Sequence, residues 1–432
     1  MSAIADLACR LAGISFEALP DDGVEAARQR LFDALGAYAV GAATAEAELM
    51  RRLTERGPAG TPERIRAMVA ATRCTEVDDI HAPSCTTVGS VVVPAALLSA
   101  EERGATDREL LCAIVAGYEA MIRLSEAVDG ALVLYDGVWP TYLAAPFATA
   151  AAGARLLELD AERTGNALAI GLSRATGIAA RAPGPRSPRW FDTGCAAADG
   201  WLAAEAAAVN MQGDLNLLEG GFGRAVRVVF DGSVFAREPE RWRILDVDSK
   251  PFCTARQGLS ATDAFLRILE ERPARGIASV EVAVPGQVRA MIDAQHPPLG
   301  VPAQLALAVY DRPALWDVLR KRPRDQPAVQ GFMATVRVVE DASLTELFPR
   351  KWGGRVHVRW QDGSTFELEV LDPIGSAENP LGWEGLLDKQ RKIAEACGLD
   401  ASWIEPAYEL CRGFGAQPGA SSAAQLLGLL PT

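Results

Sequence analysis

Apolar residues recur at steps of three and four along roughly the first 230 residues, and from residue 277 they recur at steps of two. These are the periods of one buried face on a helix and on a strand, and a segment written in one period does not rest in the other conformation. The change limits the chain to a helical part followed by a mixed part. In DDGVEAARQRLFDALGAYAVG, Val24, Ala27, Leu31, Leu35 and Tyr38 share one face and predict a helix from 22 to 41. GATDRELLCAIVAGYEAMIRLSEAV opens on Thr106 with Glu109 three positions on, a capping box that starts a second long helix. WPTYLAAPFATAAAGARLLELD and DAERTGNALAIGLSRATG predict two more, joined at Leu159-Asp160. CAAADGWLAAEAAAVNM predicts another that stops before Gln212-Gly213.

IASVEVAVP (277–285), MATVRVVED (333–341), GRVHVRWQ and STFELEVLD alternate apolar and polar residues as half-buried strands do. Asp362-Gly363 between the last two is a hairpin signal. Val356, Val358 and Trp360 then share one face, and His357 and Arg359 the other, which makes His357 a surface strand residue. ENPLGWEGLLDKQRKIAEACGLD and ASWIEPAYELCRGF return to helix. The expected fold is mainly α with a smaller α+β domain: a large helical domain over 1–261, the α+β domain over 262–395, and a helical segment over 396–432 packing back on the first.

The 432 residues suffice for two sizeable cores. A formal charge of −13 and a pI near 4.9 argue against nucleic acid, whose phosphates need clustered Lys and Arg, and disfavour an anionic membrane surface. MSAIADLACRLAGISFEALP lacks the basic start and apolar run of a signal peptide, and no stretch of about 18 apolar residues is present, so a cytoplasmic location is expected. The eight cysteines are scattered without a CxxC pair, and His81, His296 and His357 lie far apart, so neither a disulfide framework nor a metal centre is expected.

The chemistry-bearing stretch is CTEVDDIHAPSCTTVGSVVVP (74–94), where Glu76, Asp78, Asp79 and His81 precede an apolar run. Asp78 and Asp79 read either as helix-capping acceptors or as a carboxylate pair in which one, desolvated, acts as base. His81 reads as the companion acid or base, while His296, before two prolines, reads as a loop residue. GGFG (220–223) lacks the Lys and Ser or Thr of a phosphate loop and reads as a turn closing a helix.

Several segments in order resemble the MmgE/PrpD family: RLFDALGAYAVGA, EVDDIHAP followed by VVVPAALLSAEERGAT, AAGARLLELD with ALAIGLSRATG, LLEGGFG, SKPFCTAR, and the late VHVRWQDG with AENPLGWEGLLDKQRKIAE. The resemblance spans nearly the whole chain. It implies a large helical domain, a smaller α+β domain, a cleft between them, a homodimer, and cofactor-independent proton transfer beside a carboxylate of a small polyanionic acid. The sequence departs from the family's pattern of cleft histidines, lysine and tyrosine. Thr86-Thr87 stand where the family carries His-Pro, Trp139 where it has a histidine, Arg189 where it has a lysine, and Leu259 where another histidine is usual. Ala303 or Gln304 matches the usual tyrosine.

Neither Thr nor Trp relays a proton at neutral pH. The resemblance therefore leaves Asp79, His81 and Asp78 as catalytic candidates, and Thr86, Trp139, Tyr142, Arg189, Lys250 and Arg256 as substrate-binding candidates, with Trp190 and Phe191 beside them. Arg189 and Lys250 read as carboxylate-binding groups or as ion pairs, Arg256 as a structural cation, and Trp139 and Tyr142 as a stacking face or plain core. The expected activity is that of a cofactor-independent lyase, isomerase or cyclase acting on a small-molecule substrate bulkier than a tricarboxylate, in specialised biosynthesis. A dehydratase or decarboxylase of a small di- or tricarboxylic acid, and a silent binding protein, are the alternatives.

Overall fold

The computed structural model describes residues 2–178, 187–236, 241–293, 300–322 and 325–431. The chain divides into two compact units, Met1–Val247 with Ser402–Thr432, and Asp248–Ala401.

The first unit is helical. Its elements are α1 (Ala3–Ala12), α2 (Asp21–Gly41), α3 (Ala45–Thr54), α4 (Thr61–Arg73), α5 (Gly89–Arg103), α6 (Asp107–Ala127), α7 (Gly130–Val133), α8 (Pro140–Leu156), α9 (Ala161–Ser173) and α10 (Arg189–Ala208). The capping box at α6 forms as its sequence predicts: Glu109 donates its backbone N–H to Thr106 Oγ1 at 3.3 Å, and Glu109 Oε2 accepts the Thr106 N–H at 2.7 Å. Asp160 caps α9 through the Arg163 N–H. In the interior, α6 packs on α8, α8 on α10, and α10 on α4. Alanines Ala150, Ala154, Ala203, Ala204 and Ala207 fill the α8–α10 contact, and a Cβ at Gly200 would come within 2.1 Å of the Pro146 carbonyl oxygen, so only glycine permits the approach.

Helix α10 starts at Arg189, ahead of the alanine-rich stretch, because its buried face already begins with Trp190, Thr193, Gly194 and Ala197. Residues 220–222 of GGFG lie in a single wide turn, Leu218–Phe222, kinked at Gly221, and Gly223 opens the short helix Gly223–Val226. After the second unit the chain returns to the first: Ile404–Arg412 packs on α2 and Ala423–Leu429 on α5. The Ser422 N–H donates to Asp107 Oδ1 at 2.7 Å.

The second unit holds a four-stranded sheet of order β2-β1-β3-β4, with β1 Ile277–Val284, β2 Val336–Glu340, β3 Gly354–Trp360 and β4 Thr365–Val370. β1 and β2 are parallel, β1 and β3 antiparallel, and β3 and β4 form the expected hairpin, with Gly363 at φ 85° in its turn. Val356, Val358 and Trp360 are buried while His357 lies opposite Glu281 and Glu367. The helix Arg256–Glu271 packs on β3 and β4. That cover helix explains why the unit opens at Asp248 where 262 was expected. Its far end lies beyond 395 because Gly382–Cys397 continues and Lys321 Nζ donates to the Cys397 carbonyl at 3.0 Å. β2 is shorter than its alternating stretch, since Met333 closes the helix Pro327–Met333. His296 and residues 179–186 of the proline-rich loop lie outside the described residues.

Candidate active site

The stretch between α4 and α5 is a buried loop of unusual backbone. Glu76 and Cys85 adopt left-handed conformations at φ 58° and 54°, each a cost of about 1–2 kcal/mol for a residue with a Cβ. A short bridge ties the loop to itself: His81 donates its N–H to the Thr86 carbonyl at 2.8 Å, and the Thr86 N–H returns to the His81 carbonyl at 3.3 Å. The Thr87 N–H donates to Thr141 Oγ1 at 3.0 Å and fastens the loop to the start of α8.

The adjacent carboxylates go to different places. Asp79 accepts the Gly89 N–H on Oδ1 at 2.7 Å and the Tyr118 hydroxyl on Oδ2 at 2.5 Å, so it caps α5 and ties that helix to α6. A Cβ at Gly89 would meet Asp79 Oδ2 at 2.8 Å. Burial pushes the Asp79 carboxyl up to about 6, against the pull of Arg30 and the two hydrogen bonds. Asp78 faces the other way and pairs with Arg73 at 3.5 Å, where Arg73 also meets Glu76 at 3.2 Å.

His81 is buried at 2% exposure, and its two ring nitrogens meet different chemistry. Nδ1 accepts the Ser84 backbone N–H at 3.3 Å and lies 2.8 Å from Ser84 Oγ, which is 2.6 Å from Thr86 Oγ1. Nε2 faces Glu126 Oε1 at 4.0 Å. Burial, then the Arg243 charge, lowers the imidazole to about 3, so the ring is neutral at physiological pH. Glu126 Oε2 accepts from Arg243 Nε at 3.1 Å, and burial raises the Glu126 carboxyl above its ordinary value. One helical step back, Glu119 and Arg123 pair with side chains almost wholly buried, and Glu119 Oε2 accepts the Arg243 N–H at 3.1 Å.

On the Asp78 side, Trp139 and Trp190 pack with ring centroids 5.9 Å apart. Arg189 stacks 3.5 Å from the Trp139 centroid and 4.6 Å from that of Trp190. Arg73 approaches the same rings at 5.7 and 5.1 Å. Tyr142 and Phe191, half-buried, line the edge of this cluster.

Residues 5–238 match the MmgE/PrpD N-terminal domain and residues 252–402 the MmgE/PrpD C-terminal domain. The chain belongs to the MmgE/PrpD family. It is 22% identical over 476 aligned positions to a cis-aconitate decarboxylase of Aspergillus terreus, an alignment that covers 95% of this chain and 92% of the relative.

Within this MmgE/PrpD chain, the sequence-nominated residues of the first unit fall into three settings. Asp79 is an interior cap, His81 with Thr86 belongs to a polar chain running towards Glu126, and Asp78 with Arg73 backs the Trp139, Trp190 and Arg189 cluster. Trp139 and Trp190 are each under 10% exposed and pack in one buried cluster with Met50, Ala70 and Cys74. Lys250 and Arg256 lie in the second unit. Lys250 is 1% exposed, and Arg256 pairs with Asp248 at 2.5 Å, a structural tie.

Ser84, Glu126 and Arg243 were missed by the sequence reading. The one available signal was the spacing of Glu119, Arg123 and Glu126, a charged stripe at helical steps inside an otherwise apolar helix. A groove of about 490 Å3 in the same unit, lined by Tyr38, Arg51, Arg64, Met68, Leu98 and Leu430, contains none of these residues. Among the described residues no cluster of His, Cys, Asp and Glu suits a metal ion, and no helix is long and apolar enough to cross a membrane.

Proposed function

We propose that this MmgE/PrpD protein is a lyase or isomerase, cyclisation included, that moves a proton beside a carboxyl or carbonyl group without a cofactor. Its substrate is bulkier and less charged than a tricarboxylic acid, and belongs to a specialised biosynthetic pathway. The observation that carries this reading is the neutral, buried His81, set among hydrogen-bonding groups in a strained loop. A neutral imidazole cannot supply the imidazolium acid of an ordinary histidine relay, but its N–H can polarise an oxygen on which negative charge develops.

The Trp139–Trp190 cluster gives the same loop an aromatic flank, and Arg189, stacked on Trp139, brings to it a planar guanidinium of the kind that grips carboxylates in bidentate fashion. Assembly of the protein as a homodimer in the cytoplasm is part of this proposal and rests on the family resemblance.

A second reading is supported by the end-to-end similarity to cis-aconitate decarboxylase: the same proton chemistry on a small acid. Mass spectrometry separates the two. Purified protein is incubated with cis-aconitate, with 2-methylcitrate, and with a metabolite extract of its own cells. The first reading expects silence on the small acids and a mass or isomer change in the extract. Conversion of either small acid would replace it with the second, and ligand retention without conversion anywhere would sink both.

A further inference from the structure

The hydrogen bonds around His81 determine which nitrogen carries its proton. A backbone N–H can only donate, so the Ser84 N–H directed at Nδ1 makes Nδ1 an acceptor. A neutral imidazole with Nδ1 accepting carries its hydrogen on Nε2. The Ser84 hydroxyl, 2.8 Å from the same nitrogen, then donates to it as well, and the Thr86 hydroxyl donates to Ser84 Oγ at 2.6 Å. The resulting chain has one direction, Thr86 to Ser84 to His81, and leaves the hydrogen on Nε2, 4.0 Å from Glu126 Oε1.

That separation is too long for a direct hydrogen bond, and it suits a substrate group set beside both, with its oxygen on the Nε2–H and the C–H of the neighbouring carbon towards Oε1. Glu126 is the more open of the two, at 22% side-chain exposure against 2% for His81. Arg243 secures its far oxygen.

Building on the proposed function, we propose that Glu126 is the catalytic base, that His81 acts beside it as a neutral Nε2–H donor to a substrate oxygen, and that Ser84 is the residue positioning His81 in that tautomer. In the step this implies, the C–H bond beside a carboxyl or carbonyl group breaks and its proton passes to Glu126 Oε1. The electron pair forms the enolate C=C bond, and the negative charge that develops on oxygen is held by the His81 Nε2–H and by the nearby Arg243 charge. The proton returns from Glu126 to carbon in an isomerisation; in an elimination the enolate re-forms its carbonyl as a C=C bond forms to the β-carbon, and the β-substituent leaves with the C–X bonding pair and takes the proton from Glu126. Burial, which raises the Glu126 carboxyl above its ordinary value, makes it a stronger proton acceptor than an exposed carboxylate.

The test uses the full chain with 15N-labelled histidine, in wild type, S84A and E126Q, with H81N to assign the resonance. Expected is the Nε2–H pattern for His81 between pH 5 and 8, a change at Nε2 in E126Q, and partial appearance of the other tautomer in S84A. An Nδ1–H pattern in wild type, or an Nε2 signal indifferent to E126Q, overturns the proposal.

In parallel, deuterium uptake in D2O by the metabolite that the protein changes in the cell extract is followed by mass spectrometry, where E126Q is expected to lose at least 100-fold in exchange rate and E126D, which keeps the charge at shorter reach, to retain measurable exchange. Equal exchange by wild type and E126Q removes Glu126 as base and leaves the functional reading standing. Wild type inert on the whole extract overturns the base role together with the functional reading, and the Nε2–H pattern then upholds the tautomer alone.

Discussion

The interior of the helical unit and the sheet of the second unit carry their ion pairs in different settings. In the helical unit Arg123 pairs with Glu119, and Arg73 with Asp78, at side-chain exposures of 6% or less. In the sheet unit Arg272–Asp362, Arg337–Glu281 and Arg289–Glu340 expose 35% or more of each partner. Exposed pairs are screened by water and contribute little, whereas a buried ion that loses its partner is left without compensation. The second unit holds interior charge as well, in the Arg256–Asp248 pair at side-chain exposures of 4% and 5%, away from these sheet pairs. In the helical unit, buried charge lies beside the loop that carries His81, where Arg73 pairs with Asp78 and Glu76, and Glu126 faces His81 Nε2 at 4.0 Å.

The sharpest way to break this comparison is to remove one buried partner. Arg123→Met is expected to lower stability by about 3–5 kcal/mol, since Glu119 keeps its charge in the interior. Arg272→Ala, its counterpart on the sheet, is expected to cost under about 1 kcal/mol. Urea unfolding of both variants decides it, and similar losses would mean that the two sets of pairs do the same structural job.

Acid titration sharpens the contrast within the loop itself. His81 is held at about 3 against an ordinary 6.5, so the unfolded chain takes up a proton that the fold refuses. Its contribution is present above pH 6.5 and is lost as the pH falls towards 3. Asp79 is pushed up to about 6 from 3.8, so the fold keeps a proton that the unfolded chain releases, and its contribution is present below 3.8 and lost as the pH rises through 6. Between roughly pH 6 and 4 the two oppose each other at about 1.4 kcal/mol per unit each. H81N removes one side. Relative to wild type, the variant is expected to gain on the order of 2–3 kcal/mol from pH 6 to pH 4, and parallel stability curves would contradict the neutral, buried histidine.

A smaller loss, about 1–3 kcal/mol, is expected for Tyr118→Phe, which takes the hydroxyl from Asp79 Oδ2 and leaves the Gly89 hydrogen bond in place. Its melting temperature should fall while the helical signal at room temperature stays unchanged. Smallest of all, Arg337→Ala should shift stability by under about 0.5 kcal/mol, because Arg337 is 77% exposed and 3.7 Å from its partner.

Much of the fold was legible because its signals are local. The Thr106–Glu109 box closes within one turn, the Asp362-Gly363 turn joins adjacent strands, and the alternation of Val356, Val358 and Trp360 needs only the pleat of one strand. The Asp78-Asp79 pair was legible as a pair but not as two roles. Their division depends on Tyr118 and Gly89 lying on one side and Arg73 on the other. Trp139 and Arg189 were nominated separately, and nothing in their sequence neighbourhoods says that one stacks on the other.

By itself, the sequence determined the helical and alternating halves, their order, and the loop in which Asp78, Asp79 and His81 stand. Hydrophobic period, caps and turn residues act over a few positions and do not wait for the rest of the chain. Tertiary structure alone decided that His81 is neutral, that Ser84 faces its Nδ1, and that Glu126 and Arg243 lie towards its Nε2. Proton affinity is set by burial and by charges a few ångströms away, and those neighbours come from helices brought together only when their apolar faces pack.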